Sequence, residues 1–242
     1  MRIHRWLAIA CAASFIAGAT VAAAQVGGKV ASGGPDGLVQ VKSRWFGEVY
    51  LRPGADFRGY TKVMLGPTQV AFAERWLSDL NEHRIAVLQG TTVADANRIA
   101  EATGSVLIQS FANVFKAAGY EIVTAPGADV LELSPRLVDL YINAPDTVTR
   151  ALPASRVYTY NAGEATLVLE IRESKTGTLL ARVVDHRTAG FHNAGTRRGV
   201  RVTTTPSNLF DFGSLFDLWA SNCIDELKVW SPVALNAPVS RN

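Results

Sequence analysis

The sequence predicts an α+β domain with one mostly antiparallel β-sheet and helices packed on one face. The first observation is segment 165–187, where side chains alternate in period two on both sides of residues 174–177, as in a β-hairpin. The second is a pair of long segments with helical spacing, one beginning at Thr92 and one after Pro206. A hairpin alone is unstable in water, so the helices are expected to cover its apolar face.

The elements before the first long helix follow from short apolar runs. Residues 48–51 and 60–65 predict two strands, the second one buried and ended by Gly66 and Pro67. Residues 74–83 predict a short helix.

The first long helix has sequence signals at both ends. Thr92 and Asp95 are spaced as in a capping box, and Gly119 is suited to end the helix. Gly104 weakens the middle by about 1 kcal/mol relative to alanine, so a bend or break is expected there.

Strands are predicted after this helix at 120–123 and 130–142. Pro135 interrupts the second run and favours an edge strand or a bulge, because proline donates no ladder hydrogen bond. The hairpin follows a predicted loop at 143–157, and Gly177 can adopt the positive φ of its turn.

The last third begins with an irregular stretch, 186–204, and becomes helical after Pro206. One apolar stripe marks the helix face: Phe212, Leu215, Phe216, Trp219, Cys223, Leu227 and Trp230.

The N-terminus has the three parts of a secretory signal peptide. Arg2 and Arg5 precede an apolar run, and alanines 22–24 form a cleavage site before Gln25. We therefore expect a periplasmic or secreted protein, cleaved after Ala24. An uncleaved signal anchor is the alternative, since the apolar run is nearly long enough to span a bilayer.

These features divide the chain into a signal peptide (1–24), a flexible Gly-rich tether (25–37), a single α+β domain (38–232) and a tail (233–242). No later apolar run reaches the length of a spanning helix, so no transmembrane segment is expected after cleavage.

Charge and cysteine usage narrow the function further. Removal of Arg2 and Arg5 leaves 22 basic against 21 acidic residues, a balance of +1 that gives no electrostatic reason to expect a nucleic-acid partner. Cys11 follows too few apolar residues to be a lipidation site. Cys223 would then be the one cysteine of the mature chain, and its apolar helix face predicts a buried thiol.

Two segments carry a family resemblance: PGADFRGYTKVMLGPTQVAF (53–72) and LEIRESKTGTLLARVVDHR (169–187). With them the chain resembles a bacterial family of exported proteins and lipoproteins that carry a domain of unknown function of the 3313 type, over roughly residues 36–230. A strand, long helix and hairpin in this order also resemble the TolB N-terminal domain and curli-secretion lipoproteins. The resemblance implies an envelope location and a fold, and no catalytic residues.

Candidate catalytic and metal-binding residues are few. Asp185, His186 and His192 lie close in sequence and would be the centre of a secreted hydrolase or metal-dependent enzyme, although their spacing fits no standard metal site. Ser105 and Ser214 lack the G-x-S-x-G nucleophile motif. The N-terminal glycines precede any strand and so do not form a phosphate loop, and we expect no cofactor.

Candidate interaction residues are Arg197, Arg198 and Arg201, a local basic cluster that is either a solvated loop or a contact for an anionic envelope component. Aromatic residues Trp45, Phe46, Tyr158 and Tyr160 could form a recognition surface, with core packing as the alternative. The leading hypothesis is a non-catalytic envelope protein that binds another envelope protein or an anionic component through this loop or a sheet edge. A homo-oligomer assembled through an exposed strand is a third hypothesis.

Overall fold

The computed structural model describes residues 36–82, 91–143, 157–190, 201–203 and 205–230. The predicted signal peptide, nearly all of the tether and the tail lie outside these residues. The described strands are β1 (Val39–Val41), β2 (Glu48–Leu51), β3 (Lys62–Leu65), β4 (Gln69–Phe72), β5 (Glu121–Val123), β6 (Val130–Ile142), β7 (Val157–Thr159), β8 (Gly163–Glu173), β9 (Leu179–Ala189) and β10 (Arg201–Thr203). The described helices are α1 (Trp76–Glu82), α2 (Val93–Ala117) and α3 (Thr205–Val229).

The strands confirm the α+β prediction and form one mixed eight-stranded sheet. Its order is β1-β2-β9-β8-β6-β3-β5, and β4 pairs with β6 beyond the end of β3. In the described sheet, four strand pairs are antiparallel: β1 with β2, β2 with β9, β9 with β8, and β8 with β6. Three pairs are parallel: β3 with β6, β4 with β6, and β5 with β3. Strands β7 and β10 form a separate antiparallel pair.

The predicted hairpin is the centre of this sheet. Strands β8 and β9 are eleven residues each, and Gly177 has a φ of +69° at the turn. Leu167, Leu169 and Val183 are fully buried on the helix-covered face. The hydrophobic effect of these side chains therefore holds the hairpin against the helices.

Strand β6 has the predicted bounds. It is central, so the edge position, one of the two alternatives expected from Pro135, is wrong. Pro135 O accepts a hydrogen bond from Thr68 Oγ1 at 2.6 Å, so this residue faces the short connection between β3 and β4. In a strand the N–H and the C=O of a residue point to the same side. The N–H that proline lacks would therefore point at this connection, where no described strand pairs with β6. The bulge lies further on, at Asp139, which has a φ of +52°. This extra residue brings Leu140 and Ile142 back to the buried face.

Helices α2 and α3 lie side by side over one face of the sheet. The predicted capping box of α2 is present: Asp95 N donates to Thr92 Oγ1 at 3.1 Å, and Thr92 N donates to Asp95 Oδ2 at 2.9 Å. All seven residues of the predicted α3 stripe are buried. Gly104 neither ends nor breaks α2, which continues to Ala117.

Several short elements differ from the sequence predictions. Strands β1 and β4 were not predicted, and β9 and β10 take up parts of the stretch predicted to be irregular. Each of the three strands β1, β4 and β10 has only three or four residues, too few for a period to be visible. None of the described helices has the length and apolar character needed to cross a bilayer.

Candidate functional site

The predicted basic cluster is only partly within the described residues. Arg197 and Arg198 lie outside them. Arg201 begins β10, where its Cα is paired with Thr159 of β7, and its side chain is not described. The basic-contact hypothesis is therefore neither confirmed nor contradicted by the fold.

Asp185 and His186 are neighbours in sequence but point to opposite faces of β9. Asp185 is buried on the helix face, where Oδ1 accepts from Gly47 N at 2.9 Å and Oδ2 from Trp219 Nε1 at 2.8 Å. His186 is exposed on the open face, with Nε2 3.6 Å from a carboxylate oxygen of Glu164. Successive side chains of a strand cannot converge on one ligand, and His192 lies outside the described residues.

The two candidate serines serve their own helices. Ser105 Oγ donates to Glu101 O and Ser214 Oγ donates to Phe210 O, at 2.8 and 3.0 Å. Such bonds to the preceding turn are local and do not activate a nucleophile. Among the described residues, no group of three or more His, Cys, Asp or Glu side chains is arranged to hold a metal.

The aromatic candidates divide between core and surface. Phe46 is buried, whereas Trp45 is 37% exposed, and the Arg44 guanidinium lies 5.1 Å from the centre of its ring. Tyr160 is exposed directly after β7, and the side chain of Tyr158 is not described.

Cys223 is fully buried, as predicted. Burial raises the pKa of its thiol, and the charge of Glu226 adds to this effect. A neutral buried thiol is a poor nucleophile, so this cysteine belongs to the core.

One edge of the described sheet lies at β4. Strand β4 pairs with β6 on one side, and no described strand pairs with its other side. Strand β5 pairs with β3 and stops short of this position. Ala73 N donates to Leu140 O at 3.0 Å, so the main chain of Ala73 faces β6. Main-chain groups of successive strand residues point to alternate sides, so those of Phe72 and Val70 face away from β6. This unpaired edge can accept another strand.

A groove runs beside this edge, between β4 and α2. Its volume is about 670 Å³, and its lining consists of Thr68, Val70, Ala100, Glu101, Gly104, Ser105, Ile108 and Gln109. Val70 and Ile108 are half-buried, so apolar surface remains open to solvent in the groove. We call this site, the free edge of β4 with its lining residues, the β4 groove.

Gly104 sets the width of the β4 groove. A Cβ atom at this position would lie 3.2 Å from Thr68 Cγ2 and 3.3 Å from Val70 Cγ2, tighter than ordinary van der Waals contact. The glycine therefore lets α2 approach β4 closely, which explains a residue that is costly within a helix. The sequence carried a signal here, but it was interpreted as a helix defect.

The opposite face of the sheet carries a charged network. Arg172, Arg182 and Arg136 surround Glu170, with nitrogen–oxygen distances of 2.7, 3.0 and 3.5 Å. Burial acts to raise the pKa of Glu170, but hydrogen bonds from Arg172 and Arg182 outweigh it and lower the pKa. These charges are paired with one another and leave the β4 groove as the better candidate site.

Comparisons with known proteins place the chain in a family without assigning an activity. The sequence profile described as "Protein of unknown function (DUF3313)" matches residues 33–222. A comparison with curated proteins found no match.

Similar solved structures are distant. They include the PelC dodecamer from Paraburkholderia phytofirmans (space group P6; 11% identity, 73% of this chain and 98% of that chain covered, TM-score 0.32). A Xanthomonas campestris protein of the DUF330 family has 10% identity, covering 80% of this chain and 90% of that one, with a TM-score of 0.32. A putative neuraminyllactose-binding hemagglutinin homolog from Helicobacter pylori has 8% identity, 75% and 88% coverage and a TM-score of 0.29. Likenesses this weak carry no argument about function, and the TolB resemblance stays a prediction.

Proposed function

The chain belongs to the DUF3313 family of proteins of unknown function, and we propose that it is a non-catalytic binding module of the cell envelope. In this proposal a partner protein adds an extended segment to the free edge of β4. The envelope location rests on the predicted signal peptide at residues 1–24.

The observation that carries the proposal is the combination of an unpaired strand and an apolar groove beside it. Strand addition uses the main-chain groups of the edge for affinity and side-chain pockets for specificity. Here the main chain of Val70 and Phe72 supplies the hydrogen-bonding groups, and the surface between Val70 and Ile108 supplies the side-chain pocket.

The length of β4 sets the scale of the interaction. Its four residues offer a ladder of about four hydrogen bonds, each contributing on the order of 1 kcal/mol net. A contact of this size is expected to be of moderate affinity and reversible, unless a second surface contributes. The basic cluster at Arg197, Arg198 and Arg201 is our proposed second contact, with an anionic envelope component as its ligand.

Site-specific photocrosslinking in the cells that produce the protein tests the proposal. A photoreactive phenylalanine analogue replaces exposed Ala71 on β4 or, as a control, exposed Lys175 in the β8–β9 turn. We expect a discrete adduct with another protein from position 71 and none from position 175. Equal labelling at the two positions, or none at 71, would contradict the proposal.

A further inference from the structure

The β4 groove has a chemical asymmetry that selects among possible partner segments. We propose that the segment added to β4 carries an aliphatic residue and, two positions away, a lysine or arginine that pairs with Glu101. This inference rests on the proposed function and specifies the partner of the same site.

The apolar half of the groove accounts for the aliphatic residue. Val70 and Ile108 present half-buried side chains, and Gly104 leaves the floor between them without a Cβ. Burying a side chain such as valine there removes apolar surface of both molecules from water. A larger aromatic residue fits less well, because the close approach of α2 to Thr68 and Val70 limits the depth.

Glu101 accounts for the basic residue. It is the one charged residue in the groove lining, it is exposed, and it has no ion-pair partner among the described residues. Arg98, one turn earlier on α2, is bonded to Asp95 and so does not neutralise it. A cation on the incoming segment complements this charge, whereas an acidic residue is repelled.

The spacing follows from the geometry of helix and strand. The lining extends along α2 from Ala100 to Gln109, about 13.5 Å at 1.5 Å per residue. Alternate residues of a strand face the same side and are about 6.7 Å apart. On the strand side the lining consists of Thr68 and Val70, which are two residues apart and share a face, so the groove matches two side chains at positions i and i+2. Glu101 lies toward one end of the lining and Ile108 toward the other, so one position is basic and the other aliphatic.

Peptide binding to the full-length protein tests the inference, with Ala71 carrying the photoreactive analogue to report occupancy of the edge. The probes are two nine-residue peptides of serine and threonine, each with valine at position 4, and with lysine or glutamate at position 6. We expect the lysine peptide to bind about fivefold more tightly at low salt, the size of an exposed charge interaction. Glu101→Lys should reverse the preference, and Asp217→Lys, a matched charge change on the exposed side of α3, should leave it unchanged.

The outcomes separate the inference from the proposed function. Binding of both peptides at β4 with equal affinity overturns the charge selection and leaves strand addition standing. A crosslink at position 71 to a second copy of this chain overturns the inference, because the occupant is then the chain itself. If neither peptide binds and position 71 captures no partner in cells, both the inference and the proposed function fail.

Discussion

The two halves of the sheet use their surfaces in opposite ways. Around the β8–β9 hairpin each strand is paired on both sides, and Asp185 on the helix face accepts hydrogen bonds from Gly47 N and Trp219 Nε1. At β4 no described strand pairs with the outer side, and apolar side chains remain half-exposed. The hairpin half makes the fold stable, and the β4 half is available for binding.

Two buried carboxylates accept hydrogen bonds from the β1–β2 loop. Glu226 of α3 accepts from Ser43 Oγ and from Arg44 N, and Asp185 accepts from Gly47 N. Together they fix the β1–β2 loop to α3 and to β9. Buried charges of this kind are stabilising only while their partners are present. We therefore regard these carboxylates as structural.

The largest expected difference between the halves is in core substitutions. Leu169→Ala, in the centre of the hairpin, should lower the free energy of unfolding by about 2–5 kcal/mol, because it leaves a cavity. Ile122→Ala on β5, at the open side, should lower it by only about 1–1.5 kcal/mol, since Ile122 is 36% exposed. Urea denaturation of both variants measures the contrast, and equal losses would show that the β4 side is as tightly packed as the hairpin.

A smaller effect is expected at Asp185. Asp185→Ala removes the acceptor of Trp219 Nε1 and Gly47 N and should cost about 2–3 kcal/mol. Asp217→Ala, an exposed aspartate of α3, is the control and should stay within about 0.5 kcal/mol. Thermal denaturation measures this contrast, and an Asp185→Ala variant as stable as the parent protein would contradict a structural role for Asp185.

The smallest predicted effect concerns Glu170 and depends on pH. Its pKa is lowered from 4.5 in the folded state, so the charged carboxylate contributes stability above the unfolded-state pKa. That contribution is lost as pH falls through the folded-state pKa. Glu170→Gln should therefore cost about 1 kcal/mol at pH 7 and progressively less below pH 4.5. Denaturation at several pH values measures this, with exposed Glu121→Gln as control. A difference in unfolding free energy between Glu170→Gln and the parent protein that stays constant from pH 7 to pH 3 would show that the Glu170 charge does not stabilise the fold.

The long elements could be predicted from the sequence because each carries several agreeing signals. The hairpin has two runs of period two around Gly177, and α2 has Thr92 and Asp95 at one end and Gly119 at the other. The bounds of strand β6 could be predicted from the sequence, but its place in the sheet could not. Whether Pro135 lies at an edge depends on what pairs with it, and that is decided by β3 and β4, far away in sequence.

The β4 groove could not be predicted from the sequence for the same reason. Strand β4 has four residues, and its groove exists only because α2 folds back over it at Gly104. Residues that seemed chemically suggestive, Asp185 and His186, are separated by the alternation of β9. Proximity in sequence therefore grouped two side chains that the sheet directs to opposite faces, whereas Gly104 lies in the lining of the β4 groove.

The measurement that most directly tests our central claim combines the Ala71 photocrosslink with two matched tryptophan substitutions on α2. Ala100→Trp places a large side chain in the β4 groove, whereas Ala102→Trp places the same side chain on the exposed side of the helix. We expect Ala100→Trp to lower the adduct yield at least tenfold and Ala102→Trp to leave it unchanged, with unfolding free energies close to that of the parent protein. Equal adduct yields from the two variants would show that the groove does not hold the partner and would contradict our account.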